Sequence, residues 1–115
     1  VILNGLILGK PKSPEEAINM LTLLSGKKHE VITGVTIRTK DKELSFYDAT
    51  KVEFYQLNPE EIEYYVQNYK PFDKAGAYGI QEWIGYVGIK KMEGDFYNVM
   101  GLPIHRVYRE LNQFI

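Results

Sequence analysis

The 115-residue chain contains no cysteine. That excludes a disulfide framework and a thiolate metal site, and it suits a reducing, cytoplasmic compartment. Neither sign of charge prevails: 14 Lys and Arg stand against 15 Asp and Glu, a formal net charge of −1 with both histidines neutral. With no general field for polyanions and no local basic patch, nucleic acid is not an expected partner. No apolar run approaches the ~20 residues that span a bilayer, and no charged start leads through an apolar stretch to a small-residue cleavage site, so neither a membrane nor secretion is expected. Repeats, low-complexity tracts and linker-like stretches are missing too, which leaves residues 1–115 as one continuous domain. Of the two histidines, His29 and His105, neither has a second His or Cys near it. Both are therefore read as surface or structural residues, and no metal-ligand set is assigned within the chain. A GxSxG elbow, an HExxH pair and an EF-hand loop are all absent.

What is present is the composition of an ordinary globule, 44% apolar and 25% charged, long enough to bury a core without a staple. Val1-Ile2-Leu3 reads as the end of a buried strand whose beginning lies outside the sequence. With Leu6-Ile7-Leu8 it flanks Asn4-Gly5, the pair suited to the positive φ angles of a type I′ turn, so a hairpin is expected. Ser13, Pro14 and Glu16 form a helix start of the capping-box kind, and Ala17, Ile18, Leu21 and Leu24 follow at helical spacing. Gly26 stands at the left-handed stop, which predicts a helix over Pro14 to Ser25. The β-branched run from Glu30 to Thr39 and the extended run from Leu44 to Gln56, joined by Lys40-Asp41-Lys42, predict a long antiparallel ribbon.

Asn58-Pro59-Glu60-Glu61 repeats the helix-start logic, with Ile62, Tyr65, Val66 and Tyr69 on one face and Pro71 after its end. Lys70 to Gln81 has no clean period and reads as a loop or short helical turn. Two strands, about Ile84 to Lys91 and Phe96 to Met100, are expected around Glu93-Gly94-Asp95. A last helix from about Leu102 aligns Ile104, Val107, Tyr108, Leu111 and Phe114. The fold class is α/β, a mixed or antiparallel sheet with flanking helices.

Two segments carry chemistry. Gly9-Lys10-Pro11 is not a GxxxxGK[ST] phosphate loop, yet it sets a lysine between a hairpin and a helix start. Lys10 is there either to meet phosphate or as a solvated loop residue. Asp73-Lys74-Ala75-Gly76-Ala77-Tyr78-Gly79-Ile80-Gln81 has small residues that admit a ligand close to the backbone, and Gln81, whose amide offers a donor and an acceptor to the edge of a base. The plainer alternative is a turn with a packed tyrosine. Lys74, Gly76 and Tyr78 are candidate cleft-lining residues.

Taken together, Leu8-Gly9-Lys10-Pro11, Leu24-Ser25-Gly26 with His29, Thr33-Gly34-Val35, the Asp73 to Gln81 block and Tyr97-Asn98-Val99-Met100-Gly101-Leu102-Pro103 resemble, in order and across essentially the whole chain, the Maf family of nucleoside triphosphate pyrophosphatases. The resemblance implies a fold shared with inosine triphosphatases, a long mixed sheet and two lobes around a nucleotide cleft. It implies cleavage between the α and β phosphates with Mg²⁺ or Mn²⁺ as cofactor, the phosphate charge neutralised by cations and an aspartate acting on the attacking water. Lys10 matches the family's phosphate-contacting lysine, and Gln81 the glutamine that helps select the base. Tyr78-Gly79-Ile80-Gln81 departs from the Phe-Lys-Ser-Glu-like run of the 7-methyl-GTP branch and resembles the dTTP and UTP branch.

The family's Ser-x-Ser-x-Arg-Arg loop and its Asp-Thr are not in the sequence. The chain therefore resembles the C-terminal part of a Maf protein, the N-terminal part missing, with the general-base Asp expected upstream of Val1 and no catalytic residue inside the chain. Taken alone, such a piece is expected to be inactive and to dimerise or aggregate through its unpaired strand. The intact protein is expected to be a cytoplasmic homodimer. A nonenzymatic nucleotide-binding module, tied to the family's association with inhibited septum formation, and an inert core fragment are the alternatives.

Overall fold

The computed structural model describes residues 1–114, and of Phe114 only its helical backbone. The hairpin forms as the Asn-Gly pair dictates. Strand β1 (Ile2–Leu3) and strand β2 (Leu6–Ile7) pair around Asn4 and Gly5, with φ of 49° and 81°. Helix α1 (Pro14–Leu24) begins at Ser13, whose side chain accepts from Glu16 N–H, and it buries Ala17, Met20, Leu21 and Leu24. Gly26 turns the chain at φ 68°. The ribbon is strand β3 (Lys28–Arg38) against strand β4 (Glu43–Phe54), in register from Lys28↔Glu53 to Arg38↔Glu43. Helix α2 (Pro59–Tyr69) opens with both halves of a capping box between Asn58 and Glu61 and ends on Lys70 in the left-handed region.

With a fifth strand, β5 (Ile89–Glu93), the sheet order is β2-β1-β3-β4-β5, and every pairing is antiparallel. The α/β class holds, and of the mixed and antiparallel alternatives that the sequence left open the described residues form the antiparallel sheet. The two late strands are corrected. Ile84 to Lys91 divides into helix α3 (Trp83–Gly88) and strand β5 (Ile89–Glu93), and Phe96 to Met100 is helix α4 (Phe96–Met100). The Asp95 side chain accepts from Tyr97 N–H and starts α4, and Gly101 at φ 126° ends it. Local capping thus outweighs the aromatic and β-branched composition that suggests a strand.

Alternation sets His29, Val31 and Thr33 of β3, with Asp48, Thr50, Val52 and Phe54 of β4, on one face. There α1, α2 and α3 close the core around Leu21, Leu24, Phe54, Ile62, Tyr65, Val66 and Ile84. Ser25 joins the two long helices: its hydroxyl accepts from Leu57 N–H at 2.6 Å. Beyond the core the ribbon runs on, and the molecule measures 51 × 27 × 26 Å. Helix α5 (Ile104–Phe114) lies toward that end, with the Arg106 guanidinium over the Phe46 ring and donating to Tyr47 O. Its aligned side chains Ile104, Tyr108 and Leu111 are exposed rather than buried, and the Phe114 side chain lies outside the described residues.

Asn98 holds α4 to the ribbon. Fully buried, it shares its two Nδ2 hydrogens among Val31 O (3.0 Å), Asp48 O (3.2 Å) and Thr50 Oγ1 (3.0 Å). Thr33 Oγ1 donates back to Asn98 O at 3.2 Å. Asn98→Ala leaves buried acceptors without a donor and is expected to lower unfolding stability by about 2 to 4 kcal/mol in urea titrations. A loss below about 0.5 kcal/mol, the range of an ordinary surface substitution, would mean that α4 is held by packing alone.

Candidate functional site

After α2 the chain cannot continue as helix, because Lys70 takes φ 47° and Pro71 follows. A 3-10 turn, Ala75–Ala77, interrupts the loop, with Gly76 at φ 70° and Ala77 at φ 66°. Gly76 N–H donates to Gly9 O at 3.0 Å, which ties this loop to the Gly9-Lys10-Pro11 segment. A Cβ on Gly76 would strike the Val1 side chain at 2.8 Å, so glycine serves the close approach as well as the turn.

Between this loop and α4 lies a cavity of about 260 Å³. Lys74, Tyr78, Gly79 and Gln81 line one side, Val31 and Thr33 of β3 the floor, and Val99, Met100 and Gly101 the opposite side. It falls a little below the ~300 Å³ lower end of small-molecule pockets. Lys74 Nζ stands 3.2 Å from Asp73 Oδ1 and 3.6 Å from Glu82 Oε1, so carboxylates already offset its charge. The hydrogen bond from Lys74 holds the Asp73 carboxyl below its usual range, and the charge of Lys10 adds to the effect. Beneath the loop, His29 Nε2 and the Tyr78 hydroxyl share a 2.7 Å hydrogen bond inside a cluster with Phe54. Burial drives the Tyr78 hydroxyl well above its ordinary pKa and His29 down to about 4.

Lys74, Tyr78 and Gln81 thus meet at one cavity. Lys10 stands outside its lining, with its charge felt at Asp73. Gly76 packs against Val1, which lines the cavity, and is not itself among the lining residues. His105 is exposed, its ring edge to face with Tyr97 at 5.1 Å. Sequence reasoning missed the wall from Val99 to Gly101, since it reads Val99 and Met100 as the end of a strand. It also missed Tyr65, whose place in the i, i+3, i+4 face of α2 marked it only as core.

Fold and site together define an α/β domain with a small cleft between a glycine-containing loop and a short helix, an amide and a lysine at its rim. The chain matches the family model described as Maf-like protein over residues 1–114, and it belongs to the Maf family. A dTTP/UTP pyrophosphatase of Porphyromonas gingivalis is 54% identical over 114 residues, 99% of this chain and 57% of that protein. One of Bacteroides thetaiotaomicron is 56% identical over 113 residues, 98% of this chain and 58% of the relative. One of Cytophaga hutchinsonii is 61% identical over 107 residues, 93% and 49%. The chain therefore spans less than two thirds of the length of these curated relatives.

A divalent cation needs several converging oxygen ligands. Among the described residues no three His, Cys, Asp or Glu side chains come together, and the carboxylates at the cavity rim are engaged by Lys74. The residues present do not fit a resident cation. No helix among them is long and apolar enough to cross a membrane.

The His29 environment gives a pH signature. An unfolded histidine takes up its proton near pH 6.5, and folded His29 resists until about 4. Its contribution is whole above pH 6.5 and is lost as pH falls toward 4, with a slope of at most about 1.4 kcal/mol per pH unit. Urea unfolding at pH 7.5 and pH 5 should show the loss, and His29→Phe should flatten it. Equal stability of the unsubstituted chain at both pH values would mean that the ring is open to protons.

Proposed function

We propose that this chain carries the base-selecting wall, and part of the phosphate-contacting surface, of a nucleoside triphosphate pyrophosphatase acting on dTTP and UTP. The observation that carries the reading is the placement of Gln81 at the rim of the cavity, beside the loop that the Gly76 to Gly9 hydrogen bond joins to Lys10. The names of the relatives support the reaction class and the pyrimidine preference.

In this reading water attacks the α-phosphorus, the bond to the bridging oxygen breaks, and the monophosphate and pyrophosphate leave. The Gln81 amide meets the edge of the base with one donor and one acceptor. Lys10, which makes no ion pair among the described residues, offers its charge to the phosphates. Asp73 is a poor general base, since its lysine partner holds it ionised and weakly basic. The base that activates water is assigned to an aspartate outside this sequence, upstream of Val1. Mg²⁺ or Mn²⁺ would be brought by the triphosphate and neutralise its charge. A homodimer in the cytoplasm remains part of the proposal.

The test is pyrophosphate release by the protein expressed from its complete reading frame. Gln81→Ala should flatten the preference for dTTP and UTP over other triphosphates. A variant that keeps the ranking and loses only overall rate removes Gln81 from base selection. Lys10→Ala should lower kcat/KM by about tenfold or more, the value of a charge-assisted phosphate contact. Unchanged kinetics at moderate salt would remove Lys10 from the site.

A further inference from the structure

Residues Gly79 to Glu82 form a tight turn closed by Glu82 N–H donating to Gly79 O at 3.0 Å. Gln81 is its third residue and is exposed at the cavity rim, while Tyr78, Gly79 and Ile80 before it are buried. One buried phenol holds both ends of the turn. The Tyr65 hydroxyl, on α2, accepts from Gly79 N–H at 3.0 Å and donates to Glu82 Oε1 at 2.9 Å. Lys74 Nζ approaches the same carboxylate oxygen at 3.6 Å. A Cβ at 79 would meet the outer atoms of the Glu82 and Lys74 side chains, which would have to move. Glycine is needed at 85 because a Cβ would overlap the Ile80 carbonyl. The turn is therefore pressed between α2, α3 and the Lys74 side chain, and its polar atoms are satisfied through Tyr65. The other buried phenol, Tyr78, is bonded to His29 and not to this turn.

We propose that Tyr65 is a positioning residue for base selection: its hydroxyl fixes the 79–82 turn so that the Gln81 amide meets the base in one orientation. This rests on the reading of Gln81 as the base-selecting group. Tyr65→Phe keeps the ring, its stacking on Tyr69 and its place in the core, and removes only the two hydrogen bonds to the turn. Lys10, which the proposed function sets on the phosphates, sits on another segment, so loosening the turn acts on recognition before chemistry.

The experiment measures kcat and KM for dTTP, UTP, dCTP and dGTP in the protein from its complete reading frame, for Tyr65→Phe, Gln81→Ala, the double variant and Glu82→Gln. The expected result for Tyr65→Phe is a loss of about tenfold in the preference for dTTP and UTP, carried mainly in KM. The double variant should lose no more than Gln81→Ala alone, because Tyr65 acts through Gln81. Glu82→Gln, which keeps an acceptor for Tyr65, should retain the preference. If Gln81→Ala flattens the preference while Tyr65→Phe leaves it within twofold, the positioning role falls and the reading of Gln81 stands. An equal loss of kcat/KM for all four nucleotides in Tyr65→Phe would make Tyr65 merely structural and overturn the proposal. A preference untouched by Gln81→Ala overturns the reading and the proposal together.

Discussion

The antiparallel pairing of β3 with β4 is the constraint from which the other elements take their places. It outlasts the core: His29, Thr50, Val52 and Phe54 are buried at one end, while the strands beyond Thr33 and Asp48 alternate between half-buried and exposed. Three further elements are fastened directly to this ribbon. The hairpin joins it through Ile2↔Glu30, β5 through the C-terminal, core end of β4, and α4 through the Asn98 amide. The cavity forms where the core stops, because Val31 and Thr33 have the 73–82 loop on one side and α4 on the other. A ribbon ending with the core would leave α4 no carbonyls to bind and the cavity no second wall.

The loop has the opposite character. It has little regular structure, three of its residues lie in the left-handed region if Lys70 is counted, and apolar packing alone would leave its backbone polar groups unpaired. Buried side chains hold it from beneath: Tyr65 accepts from the Gly79 backbone N–H and donates to the Glu82 carboxylate, and His29 is bonded to the Tyr78 hydroxyl. Each is a long-range bond from a regular element to an irregular one, and in a low-dielectric interior such bonds are costly to lose. A site made in this way fixes the rim residue Gln81 while leaving its side chain exposed to solvent.

This division also explains how far the sequence could be read. Helix starts at Ser13 and Asn58, the Asn4-Gly5 turn and the ribbon depend on neighbours in sequence or on period, and the structure forms them where those signals stand. The segments 84–91 and 96–100 were misread because each is short. Ile84, Tyr86, Val87 and Ile89 in the one, and Phe96, Tyr97 and Val99 in the other, look like strand residues, and the cap at Asp95 and the contact of Gly85 with the Ile80 carbonyl are what decide. The blocks that resemble the Maf family led to Lys10 and Gln81. They did not lead to Tyr65 or to the role of Asn98, whose partners lie 14 to 67 residues away in sequence. The face of α5 shows the converse. Its apolar period is clear in sequence, yet Ile104, Tyr108 and Leu111 are exposed, because periodicity marks a face able to be buried and does not supply the surface that buries it.

The two lysines of the site show why charge must be read with its partners. From the sequence Lys74 is a candidate cleft-lining residue, set in the loop that carries Gln81. In the folded chain it lies between Asp73 and Glu82, and Glu82 is in turn the acceptor of Tyr65, so moving Lys74 to an incoming phosphate would weaken the turn that positions Gln81. Lys10 carries no such obligation among the described residues, and Asp73 feels its charge without forming an ion pair with it. On the proposed reading a triphosphate competes with Asp73 for the field of Lys10, and it gains because phosphate oxygens carry more charge than one exposed carboxylate. Lys74 then serves the geometry of recognition, and Lys10 the charge of the substrate. The Gly76 to Gly9 hydrogen bond brings the segments of the two lysines together, while the paired carboxylates keep Lys74 in place.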